Sequence, residues 1–503
     1  MLKFTVVYRI AIALAFIFAL PAKAQRDNVW IFGDSARLDF NQPGAVPQSK
    51  MHANWGTASV ADINGNMLYY VGTININGST YGKLFDSNDS VFPSGSMILN
   101  LAGLHFNIFL PYLESDSIID LFTLSFHPFA SPGLYRTRLN SVNNFIVSSN
   151  VPIDTGYYPS DGVQAVRHGN GRDWWLIWKD HDRINITQRR NNFRLLLVSS
   201  SGFILQNNQS IGTPSLGGRG RLRFSKNGDR LSLAAGSGLI EVYDFDRCTG
   251  NISNPLLLQV DTNYLNGTPF TCEFSPSGRF LYVSVSGNAL GGLARILQYD
   301  LATANPAQTQ YVVKSWPFPP FGSTFTTGLQ LWLDDKIYVG TGGQFNQYPD
   351  TFYTPNITHL SRIEDPDQPG AACNFNLNCV YLNGNRSYGC LPNNPNYALK
   401  EWQGSGCDTL SLTSLSETTV PNISVTAYPN PVTDFVTVQM SIPLSSTGEL
   451  KIFNANGQVV YSTNLPNRFY RQSMDVSYWA TGLYIAVIET EGKVYQCRYQ
   501  VLR

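Results

Sequence analysis

The stretches "RLRFSKNGDRLSLAAGSGLIEVYDFD" (221–246) and "TCEFSPSGRFLYVSVSGNALGGLARILQYDL" (271–301) are two copies of one pattern. Each has a strand ending in Phe-Ser, a glycine turn, an alternating apolar strand, a glycine-rich gap and a strand ending in Tyr-Asp. A third copy, "LQLWLDDKIYVGTGG" (329–343), keeps the order with Asp334-Asp335 at the turn. Weaker copies surround Gly65 and Gly171, and a degenerate one, "ESDSIIDLFTLSF", begins at Glu114. The turn positions Gly171, Gly228, Gly278 and Asp335 are spaced by 57, 50 and 57 residues. That period belongs to four-stranded propeller blades. A sheet covered on both faces carries near-continuous apolar strands such as "RFLYVSV", and single sheets of this kind must stack to bury them. The chain is therefore expected to be all-β, with a β-propeller over residues 25–405. Seven blades are favoured and six are the alternative. "NVWIFGDSARLDF" (28–40) and "CVYLNGNRSYG" (379–389) are expected to share the closing blade.

Composition agrees with this class. Aromatic residues make up 13% of the 503, and Gly 42 with Pro 28 punctuate the length. Lys+Arg 35 balance Asp+Glu 35, so the basic footprint that nucleic acid demands is missing. At the N-terminus, Lys3 and Arg9 precede "IAIALAFIFAL" (10–20), and Ala22 and Ala24 form an A-x-A site. This is the layout of a secretory signal peptide over residues 1–24. The apolar run is shorter than the roughly 18 residues a membrane span needs, so no transmembrane segment is expected.

Seven cysteines in an exported chain point to disulfides and one unpaired thiol. Cys248 and Cys272, in one repeat, are the expected pair. Cys373, Cys379, Cys390 and Cys407 cluster without assignable partners. No histidine lies near them and no C-x2-C pair occurs, which argues against zinc. The carboxylates of "DFD" (244–246) and "EDPD" (364–367) are candidate calcium ligands, although neither is spaced as an EF-hand loop.

Catalytic signatures are absent from the sequence: no G-x-S-x-G elbow, no dinucleotide fingerprint, no H-x-x-x-H. "GRDWWLIWKDHDR" (171–183) holds the candidate ligand residues Asp180, His181 and Arg183, where a strand runs out into a loop. Its tryptophans are read as packing, since alternation sends Trp174 and Leu176 to one face and Trp175 and Ile177 to the other. A non-catalytic binding module for a glycan or protein ligand is the preferred reading. The alternative is a propeller hydrolase acting on glycans or lactones through an axial site.

After Cys407 the composition shifts. "DTLSLTSLSETTVPNIS" (408–424) is Ser/Thr-rich, and a linker is expected over 406–423. Then "AYPNPVTDFVTV" (427–438) opens a new module. Pro429 and Pro431 fix two φ angles and remove two donors, so Tyr428-Pro429-Asn430-Pro431 is an extended strand entrance. "LKIFNANGQVVYS" (450–462) is a hairpin turning at Asn456-Gly457. Strands follow around Gly482 and Tyr484 in "WATGLYIAVIETEGKVYQCRYQVLR", making a β-sandwich over 424–503.

Two resemblances attach to these residues. The segments from Trp30 to Phe40, Gly171 to Trp175, Tyr243 to Gly250 and Phe274 to Val283 resemble exported WD-repeat-like propellers. The tail's "YPNP", "D-x-V-x-V", "I-F-N-x-x-G-Q-x-V" and "L-Y" pieces, with Gly457, Gly482 and Tyr484, are similar to the type A C-terminal sorting domain of type IX secretion cargo. That resemblance implies partners in the type IX translocon and a surface sortase, and a location at the outer-membrane surface or outside the cell.

Overall fold

The computed structural model describes residues 25–42, 48–51, 56–76, 79–92, 97–98, 105–112, 115–125, 130–181, 188–199, 202–205, 208–216, 220–260, 267–287, 293–316, 326–342, 355–388, 391–408, 425–440, 444, 446–469, 471–490 and 493–503. The signal peptide expected over 1–24, Glu114, Cys390, Arg183 and most of the linker lie outside them.

Ser225 and Ser275 open turns of one construction. Each hydroxyl accepts the amide five residues on, from Arg230 and Phe280, both at 3.1 Å. Each turn then needs one left-handed residue, supplied by Gly228 and Gly278 at φ 74°. The repeats at Gly65 (φ 86°) and Gly171 (φ 72°) do the same, and Asp335 takes φ 62° where glycine is missing. These turns join the first and second strands of successive antiparallel sheets.

Seven sheets occur in the described residues before the tail. The first blade is Ala58–Ala61, Met67–Ile76, Ser79–Asp86 and Met97–Ile98. The second is Asn107–Tyr112, Ser115–Ser125, Gly133–Asn140 and Phe145–Thr155. The third contains Tyr158–Arg167, Trp174–His181 and Arg190–Ser199, with Gly202–Leu205 and Gln209–Ser215 both paired to the last of these. The fourth is Gly220–Phe224, Arg230–Ala235, Leu239–Phe245 and Ile252–Val260. The fifth is Thr268–Phe274, Phe280–Ser286, Ala294–Asp300 and Tyr311–Trp316. The sixth is Thr326–Leu331, Ile337–Gly342, His359–Ile363 and Phe375–Tyr381. The seventh is only a hairpin, Val29–Phe32 with Ala36–Asp39.

Alternation distributes each strand between two neighbouring cores. Phe280–Ser286 is buried at all seven positions. Leu281, Val283 and Val285 pack with Ala234, Ile240 and Val242 of the fourth blade, whereas Phe280 and Tyr282 pack with Leu329, Ile337 and Val339 of the sixth. Trp174, Leu176 and Trp178 face the second blade, and Trp175 and Ile177 face the fourth, as the sequence pattern required. The hairpin repeats this at the closure: Trp30 and Phe32 join Tyr338 and Leu360 of the sixth blade, and Val29 and Ile31 join Met67 and Tyr70 of the first. The result is a β-propeller of six full blades and a two-stranded closing one.

The expected sharing of the closing blade holds at one point. Residues 379–381 end the outer strand of the sixth blade, and among the described residues of 379–389 only Arg386 forms a β-bridge to the hairpin, at Asp34 and Ser35. Its guanidinium pairs with the Asp34 carboxylate at 2.6 Å.

Between the sixth blade and the tail, residues 391–399 run along the propeller axis. Leu391 packs with Tyr338 and Leu360, and Asn393 N donates to Thr57 O at the start of the first blade. Further on, Asn396 Nδ2 donates to Lys226 O, and Trp402 N to Gly169 O, in the turns that follow inner strands. The segment thus passes from the beginnings of the inner strands to their ends.

A second compact unit spans Leu412–Arg503. Val425–Tyr428, Phe435–Met440 and Arg471–Asp475 form one sheet. Val459–Leu465, Gly448–Phe453, Gly482–Thr490 and Lys493–Val501 form the other, and Val436, Val438, Leu450, Ile452, Ala486 and Ile488 fill the space between. Both prolyl bonds of Tyr428-Pro429-Asn430-Pro431 are cis. In the Asn456-Gly457 turn only Gly457 takes positive φ (77°), and Asn454 holds the turn by accepting the amides of Asn456 and Gln458 at 3.0 Å. Tyr484 is buried, and its hydroxyl donates to Ala480 O at 2.8 Å.

Candidate functional site

In the repeats, the residue just before each Phe-Ser pair faces the axis. In the fourth blade this is Arg223, and in the fifth it is Glu273. Arg223 pairs with Glu273 at 2.8 Å, and Glu273 also accepts Leu331 N of the sixth blade at 3.0 Å. The matching residue of the sixth blade, Gln330, accepts from Arg221 at 2.7 Å. A polar residue at one fixed repeat position in an otherwise apolar inner strand was the signal for this axial ring.

Residues 391–408, a strap along the axis and underside, enter this ring through two asparagines. Asn393 Nδ2 lies within 3.2 Å of the carbonyl oxygens of His105, Asn107 and Val163. Asn394 donates to Asp27 at 2.5 Å, accepts Ser59 N at 3.2 Å, and offers its carbonyl to Arg223 at 2.9 Å. Trp30 Nε1 supplies the second donor to Asp27, at 2.9 Å. Below this level lies a cavity of about 50 Å³, walled by Asp27, Arg223, Glu273, Lys226, Trp332 and Asn396 among others. That is room for a few waters.

Burial governs the electrostatics here. Asp27 is pushed up to about 7 by desolvation, against the lowering effect of its hydrogen bonds from Asn394 and Trp30 and the charge of Arg223. Desolvation also holds His105 well below its ordinary value, with Arg221 and Arg223 adding to the effect. Arg167, buried with its guanidinium 3.7 Å over the Trp174 ring, is lowered to about 9 by desolvation. Asp27 is thus an acid that exchanges its proton near neutral pH, while Glu273 has Arg223 as a direct counter-ion.

The candidates in 171–183 fall elsewhere. Asp180 is buried and pairs with Arg194 at 3.2 Å and Arg190 at 3.7 Å, and Arg194 continues to Asp154 at 2.9 Å. Asp180 thus holds Arg194, which ties the third blade to Asp154 of the second. The side chain of His181 and all of Arg183 lie outside the described residues. The tryptophan ring nitrogens are satisfied inside the fold: Trp174 by Pro111 O, Trp175 by Arg247 O and Trp178 by Tyr157 OH.

Among the described residues, no three His, Cys, Asp or Glu side chains are grouped to hold a metal ion. The carboxylates considered for calcium are engaged by the chain. Asp246 accepts the amides of Cys248 and Thr249, and Asp244 accepts Asn254. Glu364 pairs with Arg362, and Asp367 with Ser277.

The expected Cys248–Cys272 disulfide is corrected. Cys248 bonds to Cys407, 159 residues away, with the Cα atoms 5.5 Å apart. Cys272 is a free, buried thiol, 3.2 Å from Ser232 Oγ. It sits in the inner strand of the fifth blade, whereas Cys248 sits in the loop after the third strand of the fourth, so the two lie in different blades. Cys407 was expected in the linker. The strap carries it across the underside of the third and fourth blades, where Lys400 O accepts Arg247.

Comparison with known proteins identifies the tail. Residues 426–501 match the family described as a secretion system C-terminal sorting domain. The tail is a type IX sorting domain. It directs the chain to the cell surface or the extracellular space, and implies contact with the secretion machinery. No helix among the described residues is long and apolar enough to cross a membrane. No curated protein matches the chain by sequence. Among solved structures, the chain is similar to the periplasmic gluconolactonase of Pseudomonas aeruginosa, with 10% identity, 81% of this chain and 98% of that one covered, and a TM-score of 0.37. It is also similar to the WD40 domain of SCAP from fission yeast (10%, 86% and 85%, 0.30) and to a putative 6-phosphogluconolactonase of Bacteroides fragilis (10%, 59% and 87%, 0.32). What makes the chain a propeller is the strand order and register given above.

Proposed function

We propose that this is a surface-exposed binding propeller, delivered by its sorting domain and acting through the face opposite the strap. The observation that carries this reading is the occupied axis. Asn393, Asn394, Asn396 and Tyr397 fill the channel with hydrogen-bonded side chains of the protein itself. The underside is taken up by the turns after the inner strands, by the connections that contain Pro306–Gln308 and Gly370–Cys373, and by residues 400–408. The stretches "PFPPFGSTF" (317–325) and "GQFNQYPDTFYT" (343–354) are rich in the rings and amides that sugar and peptide recognition uses. A signal peptide over 1–24 and removal of the tail by a surface sortase complete this reading.

One observation favours a second reading, hydrolysis of a glycan or lactone: Asp27, with a proton affinity near neutrality, lines the axial cavity. A single comparison tests both. The purified protein is screened on a glycan array and against envelope-protein extracts, and assayed with aldonolactones. Saturable binding unaffected by Asp27→Asn supports the binding reading. Lactone or glycan turnover abolished by that substitution replaces it with the hydrolase.

A further inference from the structure

We propose that residues 391–408 are the closure of the ring, a strap that does what a complete seventh blade would do, with Cys248–Cys407 as its latch. Among the described residues, the closing joints are thinner than those from the third blade to the sixth. Among the described residues, the cores on either side of the hairpin contain eight and six buried side chains. The cores between the third and fourth, fourth and fifth, and fifth and sixth blades contain fourteen, twelve and ten. The hairpin has two strands of four residues and, among the described residues, no third or fourth strand to widen the contact.

The strap compensates from the axis. Two consecutive asparagines reach in different directions: Asn393 to the second and third blades, Asn394 to the first blade, the fourth blade and Asp27, two residues ahead of the hairpin. Tyr397 adds a bond to Phe109 O of the second blade at 2.9 Å, and Leu391 holds the sixth. A buried amide meeting several backbone carbonyls is costly to lose, because each carbonyl then loses one of its buried donors. The same segment touches both sides of the weak joint, so pulling it out opens the ring there first. The disulfide fixes the strap's far end to the fourth blade. It holds that end in place whether or not the sorting domain is still attached.

Hydrogen exchange read by mass spectrometry on the full chain tests this. In Asn393→Ala and Asn394→Ala, amides of Val29–Phe32 and Ala36–Asp39 should exchange at least about tenfold faster, together with 391–399. The interface of the fourth and fifth blades should keep its protection. If only 391–399 exchanges faster and the hairpin is unchanged, the strap does not close the ring. Should the variants fail to fold, the wild-type protein is treated with dithiothreitol instead. Faster exchange in 400–408 followed by the hairpin supports the latch, and unchanged exchange in both overturns it.

Discussion

Asn394 Nδ2 donates to the Asp27 carboxylate at 2.5 Å, joining residues 367 apart in sequence at the axis of the propeller. The contact brings the first described segment of the chain against the last segment of the ring. It also places an acid where water is nearly excluded, which makes the fold sensitive to pH.

Asp27 has its proton affinity raised from 3.8 to about 7 in the folded state. A raised carboxylate contributes stability fully present below the unfolded value and lost as pH rises through the folded one. The propeller should therefore be more stable at pH 5 than at pH 8, by about 2–3 kcal/mol if Asp27 acts alone. Asp27→Asn keeps an oxygen to accept from Asn394 and Trp30 and should flatten this dependence. Urea unfolding at both pH values measures it. A wild-type protein equally stable at both would show that Asp27 is not desolvated as described.

Cys248–Cys407 closes a long loop, so its removal by Cys407→Ser should cost on the order of 2–5 kcal/mol. Peptide mapping without reductant should recover Cys248 linked to Cys407 and a free Cys272. The Cys272 thiol, pushed up to about 11 by burial, should resist alkylation until the protein unfolds. A Cys248–Cys272 peptide in the native protein would contradict the structure.

What was legible in the sequence is what repeats. Blades announce themselves because a doubly covered strand needs apolar residues on both faces and its turn needs a left-handed residue, so Gly228, Gly278 and Asp335 mark the same place. The tail's Tyr428–Pro431 and Gly457 were readable for the same local reason. The strap was not. "LPNNPNYAL" (391–399) has no periodicity and looks like a loop. Its importance comes from where the ring's axis lies, a property of all seven sheets together. The disulfide was missed by the same route, since chain proximity favoured Cys272 while the strap brings Cys407 across the underside. Asp180 had the position of a ligand residue, but Arg190 and Arg194 lie on the adjacent strand in register to neutralise it.

Gly250 and Gly278 separate backbone strain from crowding. Both take positive φ, 73° and 74°. A Cβ at Gly278 meets nothing closer than Ser225 at 4.0 Å, so Gly278→Ala should cost only the left-handed strain, about 1–2 kcal/mol. A Cβ at Gly250 lies 2.8 Å from the Trp175 ring. Gly250→Ala must also displace a buried indole held by Arg247 O at 2.8 Å, adding about 1–3 kcal/mol. Thermal or urea unfolding of the two variants should rank them in that order. Equal losses would mean that the Trp175 side of the interface is loosely packed.

The sorting domain makes the sharpest cellular prediction. It is a separate compact unit with its own core of Val436, Leu450, Ala486 and Ile488, so deleting residues 424–503 leaves every propeller contact described here intact. The truncated protein should fold, form Cys248–Cys407 and remain in the cell envelope. Surface labelling of intact cells, set beside fractionation and a non-reducing gel, distinguishes failure of export from failure of folding. Within the tail, Tyr484→Ala removes a buried ring packed on Trp479 and Tyr499 and should cost about 3–5 kcal/mol in that unit alone. Export should fall while the propeller's unfolding transition stays where it was. If the deletion variant reaches the surface as the whole chain does, the tail is not what takes it there, and the propeller must contain its own export signal.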